Sequence, residues 1–113
     1  MATRSTINVR ISKSEILSIY CHFDGYIIDV GNKLFNHYDT LEKAKQLVNM
    51  GDMSFLKETI EESQFYHRDA HEELNIFIAR SVEDINEQQY NYLFEGGKWT
   101  VNGIDLQSVL KTK

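Results

Sequence analysis

Apolar and polar residues alternate along the start of the chain: Ile7, Val9 and Ile11 are interleaved with Asn8 and Arg10, and after the polar Ser12-Lys13-Ser14-Glu15 the alternation resumes through Leu17, Ile19, Cys21 and Phe23. A period of two belongs to a half-buried strand. The pattern therefore predicts an antiparallel hairpin whose dry face carries Cys21 and whose wet face carries Tyr20, His22 and Asp24. Asp24-Gly25 ends the second strand, because an Asp side chain bonds its own backbone and Gly tolerates positive φ.

The period then changes to that of a helix. Val30, Leu34, Phe35 and Tyr38 share one side, and Asp39-Thr40-Leu41-Glu42 resembles a capping box that opens a second helix with a stripe of Leu41, Ala44, Leu47 and Val48. Gly51 closes that helix. Asp52 is expected to cap a further short helix carrying Phe55, Leu56 and Ile60. Residues 61–73 read as a polar connection, Leu74–Ala79 as a well-buried third strand, and Ser81-Val82-Glu83-Asp84 as another helix start. Tyr90–Phe94 and Lys98–Val101 flank Glu95-Gly96-Gly97, the clearest hairpin signal in the chain. Leu106–Leu110 is a last short helix. Together these elements predict an α+β fold, a mostly antiparallel β-sheet with helices packed on one face. With 113 residues, no Pro, only six Gly and no repeat, residues 1–113 read as a single small domain.

Composition narrows the function classes. The formal charge is -5, whereas a protein that holds a nucleic-acid backbone neutralises several phosphates with Lys or Arg, so no general nucleic-acid binding is expected. The lone Cys21 has no internal disulfide partner and lies in an apolar strand, which suits a reducing, cytoplasmic compartment. No stretch approaches the roughly 18 apolar residues of a membrane span, and Met1-Ala2-Thr3-Arg4-Ser5-Thr6 has no signal-like apolar region after it. A soluble protein without membrane association is expected. Charge is uneven: residues 52–95 hold eleven acidic and three basic side chains, and the remainder six acidic and nine basic. Arg4, Arg10, Lys13, Lys33, Lys43 and Lys45 would form a basic rim beside Tyr20, Tyr26 and Tyr38 if folding gathers them. Such a rim would hold the phosphates of a small nucleotide or an acidic protein surface; the ordinary alternative is solvated surface charge.

His22 and Asp24, two apart on a strand, share a face. They would act as a base with its orienting carboxylate, or as two ligands of an ion, if His37 converges on them. The ordinary reading is that they bond the strand end and fix the turn, so neither a catalytic set nor a metal site is assigned, and no cofactor is expected. As a ligand-binding set the candidates are Tyr20, His22, Asp24, Tyr26 and His37. His67 and His71, with Asp69, Glu72 and Glu73, lack the His-Glu-x-x-His pattern and read better as a solvated acidic connection. Gly25 to Gly31 lacks the spacing of a phosphate loop, and Cys21 and His22, being adjacent, point to opposite faces, which disfavours a thiol enzyme. Trp99, with Tyr90, Tyr92 and Phe94, suits cross-strand packing. If exposed, Trp99 and Tyr92 would be interaction anchors.

The residues Ser18 to Tyr26, read with Gly31, Leu34, Tyr38 and the later Tyr92-Leu93-Phe94 followed by Trp99, resemble a family of small uncharacterised phage and prophage proteins. The shared layout is an N-terminal strand pair, an Ile-Tyr-Cys-His-x-Asp-Gly-Tyr segment, a Gly with a helix, and a late Tyr-Leu-Phe hairpin with Trp. It covers most of the chain. A Pro that often follows the Tyr in that group is replaced here by Ile27-Ile28-Asp29. The resemblance implies a phage-encoded accessory protein in the cytoplasm of an infected or lysogenic bacterium. Small size, uneven charge and the lack of a complete catalytic arrangement favour a non-enzymatic protein that binds a host protein and modulates it. The alternatives are a small nucleotide-binding protein and a metal-assisted hydrolase using His22 and Asp24. Edge strands that need protection also allow a homodimer.

Overall fold

The computed structural model describes residues 3–111, so residues 1–2, the start of the segment read above for a leader, lie outside it together with residues 112–113. The alternating segments form β1 (Ser5–Ser12) and β2 (Glu15–Cys21). A π-helical turn at Ile27–Gly31 runs into α1 (Asn32–His37), followed by α2 (Leu41–Val48), β3 (Met53–Phe55), β4 (Gln64–Phe65), α3 (Tyr66–Ala70) and β5 (Phe77–Ala79). After a 3-10 turn at Val82–Asp84 come β6 (Tyr90–Glu95), β7 (Lys98–Val101), β8 (Ile104–Asp105) and α4 (Leu106–Lys111). The strands form one sheet in the order β4-β3-β2-β1-β6-β7-β8, with β5 pairing β2 beside that path. The β1–β6 and β2–β3 pairs are parallel and the others antiparallel. The fold is α+β with a mostly antiparallel sheet, as the periodicity predicts.

Registers show which side chains share a face. Ile7 lies opposite Ile19 and Tyr92, and Val9 opposite Leu17 and Phe94. These residues, with Cys21, Trp99 and Val101, pack against Val30, Leu34, Ala44, Leu47, Val48 and Leu106 from the helices. Each large apolar side chain removed from water there contributes about 1.5–3 kcal/mol. Thr40 caps α2 by accepting the Lys43 amide at 3.1 Å, and Gly51 follows it at φ 85°, as the capping pattern predicts. Gly96 and Gly97 take φ 63° and 82°, the two positive values that a tight hairpin between β6 and β7 requires. Asn102 and Gly103, at φ 49° and 85°, repeat that device between β7 and β8.

Four expectations are corrected. Asp52 does not cap a helix: Met53–Phe55 adds to β2 as a short parallel strand, because β2 offers an open edge at Cys21. Residues 61–73 are ordered rather than a loose connection, with Arg68 donating to the carbonyls of Ile60 and Ser63 and to Asp69. The third strand is short, and its two large side chains are open to solvent, Phe77 at 39 % and Ile78 at 57 % exposed, while Ala79 is buried. Ser81–Asp84 makes only a 3-10 turn, after which Ile85 is buried against Ile16 and Ala79 on the sheet's second face. Residues 80–89 thus cover the face expected to be wet, and Thr6, Asn8 and Ser18 on it are buried. Neutral polar side chains tolerate this when bonded: Thr6 donates to Asn91 Oδ1 at 2.9 Å, and Asn8 Nδ2 donates to the Tyr92 carbonyl at 2.7 Å.

The Asp24-Gly25 turn also works differently from the expectation. Asp24, not Gly25, takes the left-handed conformation, at φ 58°. Gly25 is needed for close approach: a Cβ there would stand 2.8 Å from Ser5 Cβ and 2.9 Å from the Thr3 carbonyl oxygen. Its amide donates to that carbonyl, and its own carbonyl accepts the buried Tyr92 hydroxyl at 2.7 Å. Gly25→Ala is therefore expected to cost about 1–3 kcal/mol through overpacking, read as a lower midpoint in chemical denaturation. An unchanged midpoint would show that the turn relaxes freely.

Candidate functional site

Strand β2 sets the direction of the Tyr20 and His22 side chains. Tyr20 pairs with Thr6, so it projects from the second face, away from the helices. Its hydroxyl and His22 Nδ1 are hydrogen-bonded at 2.6 Å, and the His22 ring packs edge-on against Phe23 at 4.5 Å. The backbone beyond β2 is held as well, since the His22 and Phe23 amides donate to the carbonyls of Met53 and Ser54. Tyr66 stands near this pair; its phenol is pushed up by burial, with a bond to Ser54 acting the other way.

Asp24, in the left-handed conformation, lines a shallow cleft with Phe23, Phe55, Leu56 and Lys57. His37 ends α1 and lines another cleft beside Tyr38, Lys43 and Glu58. Among the described residues no three His, Cys, Asp or Glu side chains are grouped to hold a metal ion. His22, Asp24 and His37 therefore do not form a three-ligand metal group. Tyr26 is exposed on the turn before the π-helical segment. His67 Nδ1 is hydrogen-bonded to the Glu72 carbonyl, and His71, at φ 58°, terminates α3.

Three of the six basic side chains considered for a rim are paired with carboxylates. Arg10 pairs with Glu95, Lys33 with Asp29 and Lys43 with Asp39. Tyr38 is buried, its hydroxyl donating to the Lys57 carbonyl at 3.0 Å. The surface role considered for Trp99 and Tyr92 is also corrected: they are 3 % and 0 % exposed, and Trp99 Nε1 donates to the Tyr38 carbonyl at 2.8 Å. Both rings are core because β6 and β7 turn them towards the helices.

Two features escaped the sequence reading. Along one edge of β2, β5 pairs at Ile16–Ser18 and β3 at Cys21, which leaves the Tyr20 amide between two short strands. Asp52 fills that gap: Oδ1 accepts the Tyr20 amide at 2.8 Å, and Oδ2 accepts Asn75 Nδ2 at 2.6 Å. The second feature is the surface this clamp presents. Leu74, Phe77, Ile78 and Val82 are all exposed within nine residues, and among the described residues β5 pairs only with β2. A run of apolar residues read as buried gave no sign that its strand would be an edge.

On the second face, a cleft of about 580 Å³ lies between residues 82–89 and β6–β7. Its lining combines amides, Gln88, Gln89, Asn91 and Asn102 beside Asn8, with the apolar Val82, Ile85 and Leu93 and the carboxylates of Glu87 and Glu95. Asn8 Oδ1 is buried without a hydrogen-bond partner. The Cys21 thiol lies in the core, where burial pushes it up to about 12.

Comparison with known proteins gives no match, whether to a family model, a curated protein or a solved structure. Among the described residues no helix is long and apolar enough to cross a membrane.

The buried acids predict alkaline lability. Burial pushes the Cys21 thiol and the Tyr38 phenol each up to about 12, and the Tyr92 phenol is also raised. The unfolded chain releases these protons at lower pH, so the stability of keeping them is complete below about pH 9 and is lost as pH rises towards 12. The thermal midpoint should fall steadily from pH 9 upward, and Cys21 should resist thiol reagents until the chain unfolds. A flat profile to pH 11, or rapid native labelling, would contradict this burial. Asp52→Ala, which strips two edge bonds at once, one part-buried and one exposed, should cost about 1–3 kcal/mol and raise amide exchange in β5 more than in β1.

Proposed function

We propose that the chain is a non-enzymatic binding protein of the phage-accessory type, acting in the bacterial cytoplasm by docking on a host protein. The resemblance of Ser18–Tyr26 and the late aromatic hairpin to small phage proteins supplies the context. The observation that carries the reading is the exposed apolar side chains of β5, a strand paired on one edge only among the described residues. The titratable candidates are dispersed and engaged in ordinary structure, with His22 on the Tyr20 hydroxyl, Asp24 in a turn and His37 at the end of α1. Of the nine large exposed apolar side chains among the described residues, four, Leu74, Phe77, Ile78 and Val82, lie at β5 and its flanks, and three, Phe23, Tyr26 and Ile28, lie around the turn after β2. A monomer that leaves such side chains together on an unpaired strand edge presents a surface suited to another protein.

The test is native mass spectrometry of the protein with candidate host proteins. A complex of fixed stoichiometry is expected to survive His22→Gln and to weaken about tenfold or more with Ile78→Asp, the loss typical of one interface anchor. Substrate turnover that His22→Gln abolishes in a folded protein would replace this reading with an enzymatic one.

A further inference from the structure

The β5 edge also carries information about what docks on it. Phe77 lies opposite Ser18 on the second face, whereas Ile78 lies opposite Leu17 on the helical face, so the strand is open on both sides of the sheet. An uncovered edge with apolar side chains on both faces is a template for one more strand. The residues around it are strongly acidic: Glu72, Glu73, Glu83 and Asp84 are all exposed, with Arg80 the basic residue among them. Asp84 Oδ2 accepts the Arg80 amide, which holds the acidic turn against the end of the strand.

Charge decides between a second copy and a different partner. A two-fold antiparallel pairing centred on Ile78 would bring the acidic N-terminal flank of one copy, with Glu72 and Glu73, towards the acidic turn after the strand of the other, with Glu83 and Asp84, at both ends of the contact. Like charges placed opposite one another across strands are destabilising. A segment alternating apolar residues with Lys or Arg meets the same edge with its apolar side chains on one face, beside Ile78, and its cations on the other, where their aliphatic stems cross Phe77 and their charges reach the flanking carboxylates. We infer that β5 receives an extended, basic segment of the partner as an added strand. This inference rests on the binding-protein reading above and specifies its mode: main-chain bonds to β5 supply affinity, and the acidic flanks supply the preference for cations.

The probe is a ten-residue peptide alternating lysine with valine or isoleucine, titrated into the whole protein by calorimetry. Three relatives serve as controls: one methylated on every second backbone nitrogen, one with its lysines grouped at one end, and one with glutamate for lysine. Saturable 1:1 binding of the parent is expected, weakened about tenfold or more by N-methylation, by grouping the lysines, or by Ile78→Asp in the protein, with folding verified by circular dichroism. Because Glu72 and Glu73 are exposed, Glu72→Lys with Glu73→Lys gives a second variant that should lose the lysine peptide and gain the glutamate one. Equal binding of the methylated peptide would reduce the contact to charge and overturn strand addition. Absence of binding by the folded protein would overturn it too. A host complex that Ile78→Asp abolishes while the peptides fail would overturn strand addition alone and leave the binding-protein reading standing. Concentration-dependent dimerisation that Ile78→Asp removes would assign the edge to a second copy and overturn the basic partner.

Discussion

The carboxylate of Asp52 stands where a strand would otherwise be missing. Two short strands share one edge of β2, and between them the Tyr20 amide is met by Asp52 Oδ1 while Oδ2 reaches Asn75 on the approach to β5. A buried or half-buried amide left without a partner costs as much as a lost hydrogen bond. One side chain therefore completes the edge of β2 and ties down the segment that leads into β5. Tyr66 donates its amide to the Asp52 carbonyl, and Asp52 donates its own to Asn75, so the same residue also joins β4 and α3 to this corner. The exposed apolar edge is held in place by this clamp, by pairing with β2 and by the burial of Ala79 against Ile16 and Ile85.

A second tie explains the segment around His22. The Tyr92 ring lies in the middle of the helical-face core, and its hydroxyl reaches the Gly25 carbonyl across the end of β2. That closeness leaves no room for a side chain at position 25, next to Asp24 in its left-handed conformation. The spacing that suggests a catalytic pair is thus a consequence of ending a strand over a buried tyrosine. His22 in turn is engaged by Tyr20, so its imidazole helps to order the second face.

How far the sequence carries depends on the physical scale of each signal. The β1–β2 and β6–β7 hairpins, α2 and the last helix are legible because each rests on local periodicity or turn chemistry: alternation in residues 7–23, Gly96-Gly97, Thr40 and Gly51. Asn102-Gly103 carries an equally local signal for the β7–β8 turn, and it was passed over only because β8 is two residues long. Asp52 and β5 are different. An Asp after a Gly looks the same whether it caps a helix or replaces a strand, and only the gap between β3 and β5 on β2 distinguishes them. The run Ile76-Phe77-Ile78-Ala79 has the composition of a central strand, yet its exposure is set by what lies beyond it in space. The second face shows the converse: Thr6 and Asn8 look solvated until Asn91 and Tyr92, more than eighty residues on, supply their bonds. Among the expected site residues, local geometry fixed the Tyr20–His22 pair, whereas the hoped-for meeting with His37 required a tertiary contact that no spacing encodes.

The functional account joins these observations: a sheet whose chemistry-bearing residues are absorbed into structure and whose edge offers apolar side chains between carboxylates. Its central claim concerns location. Hydrogen exchange followed by mass spectrometry, on the protein alone and saturated with the alternating lysine peptide, tests it directly. The account predicts new protection confined to residues 74–82 and the adjoining part of β2, with residues 22–26 and the His37 cleft unchanged. Protection centred on His22 and Asp24, with β5 exchanging as before, would contradict it.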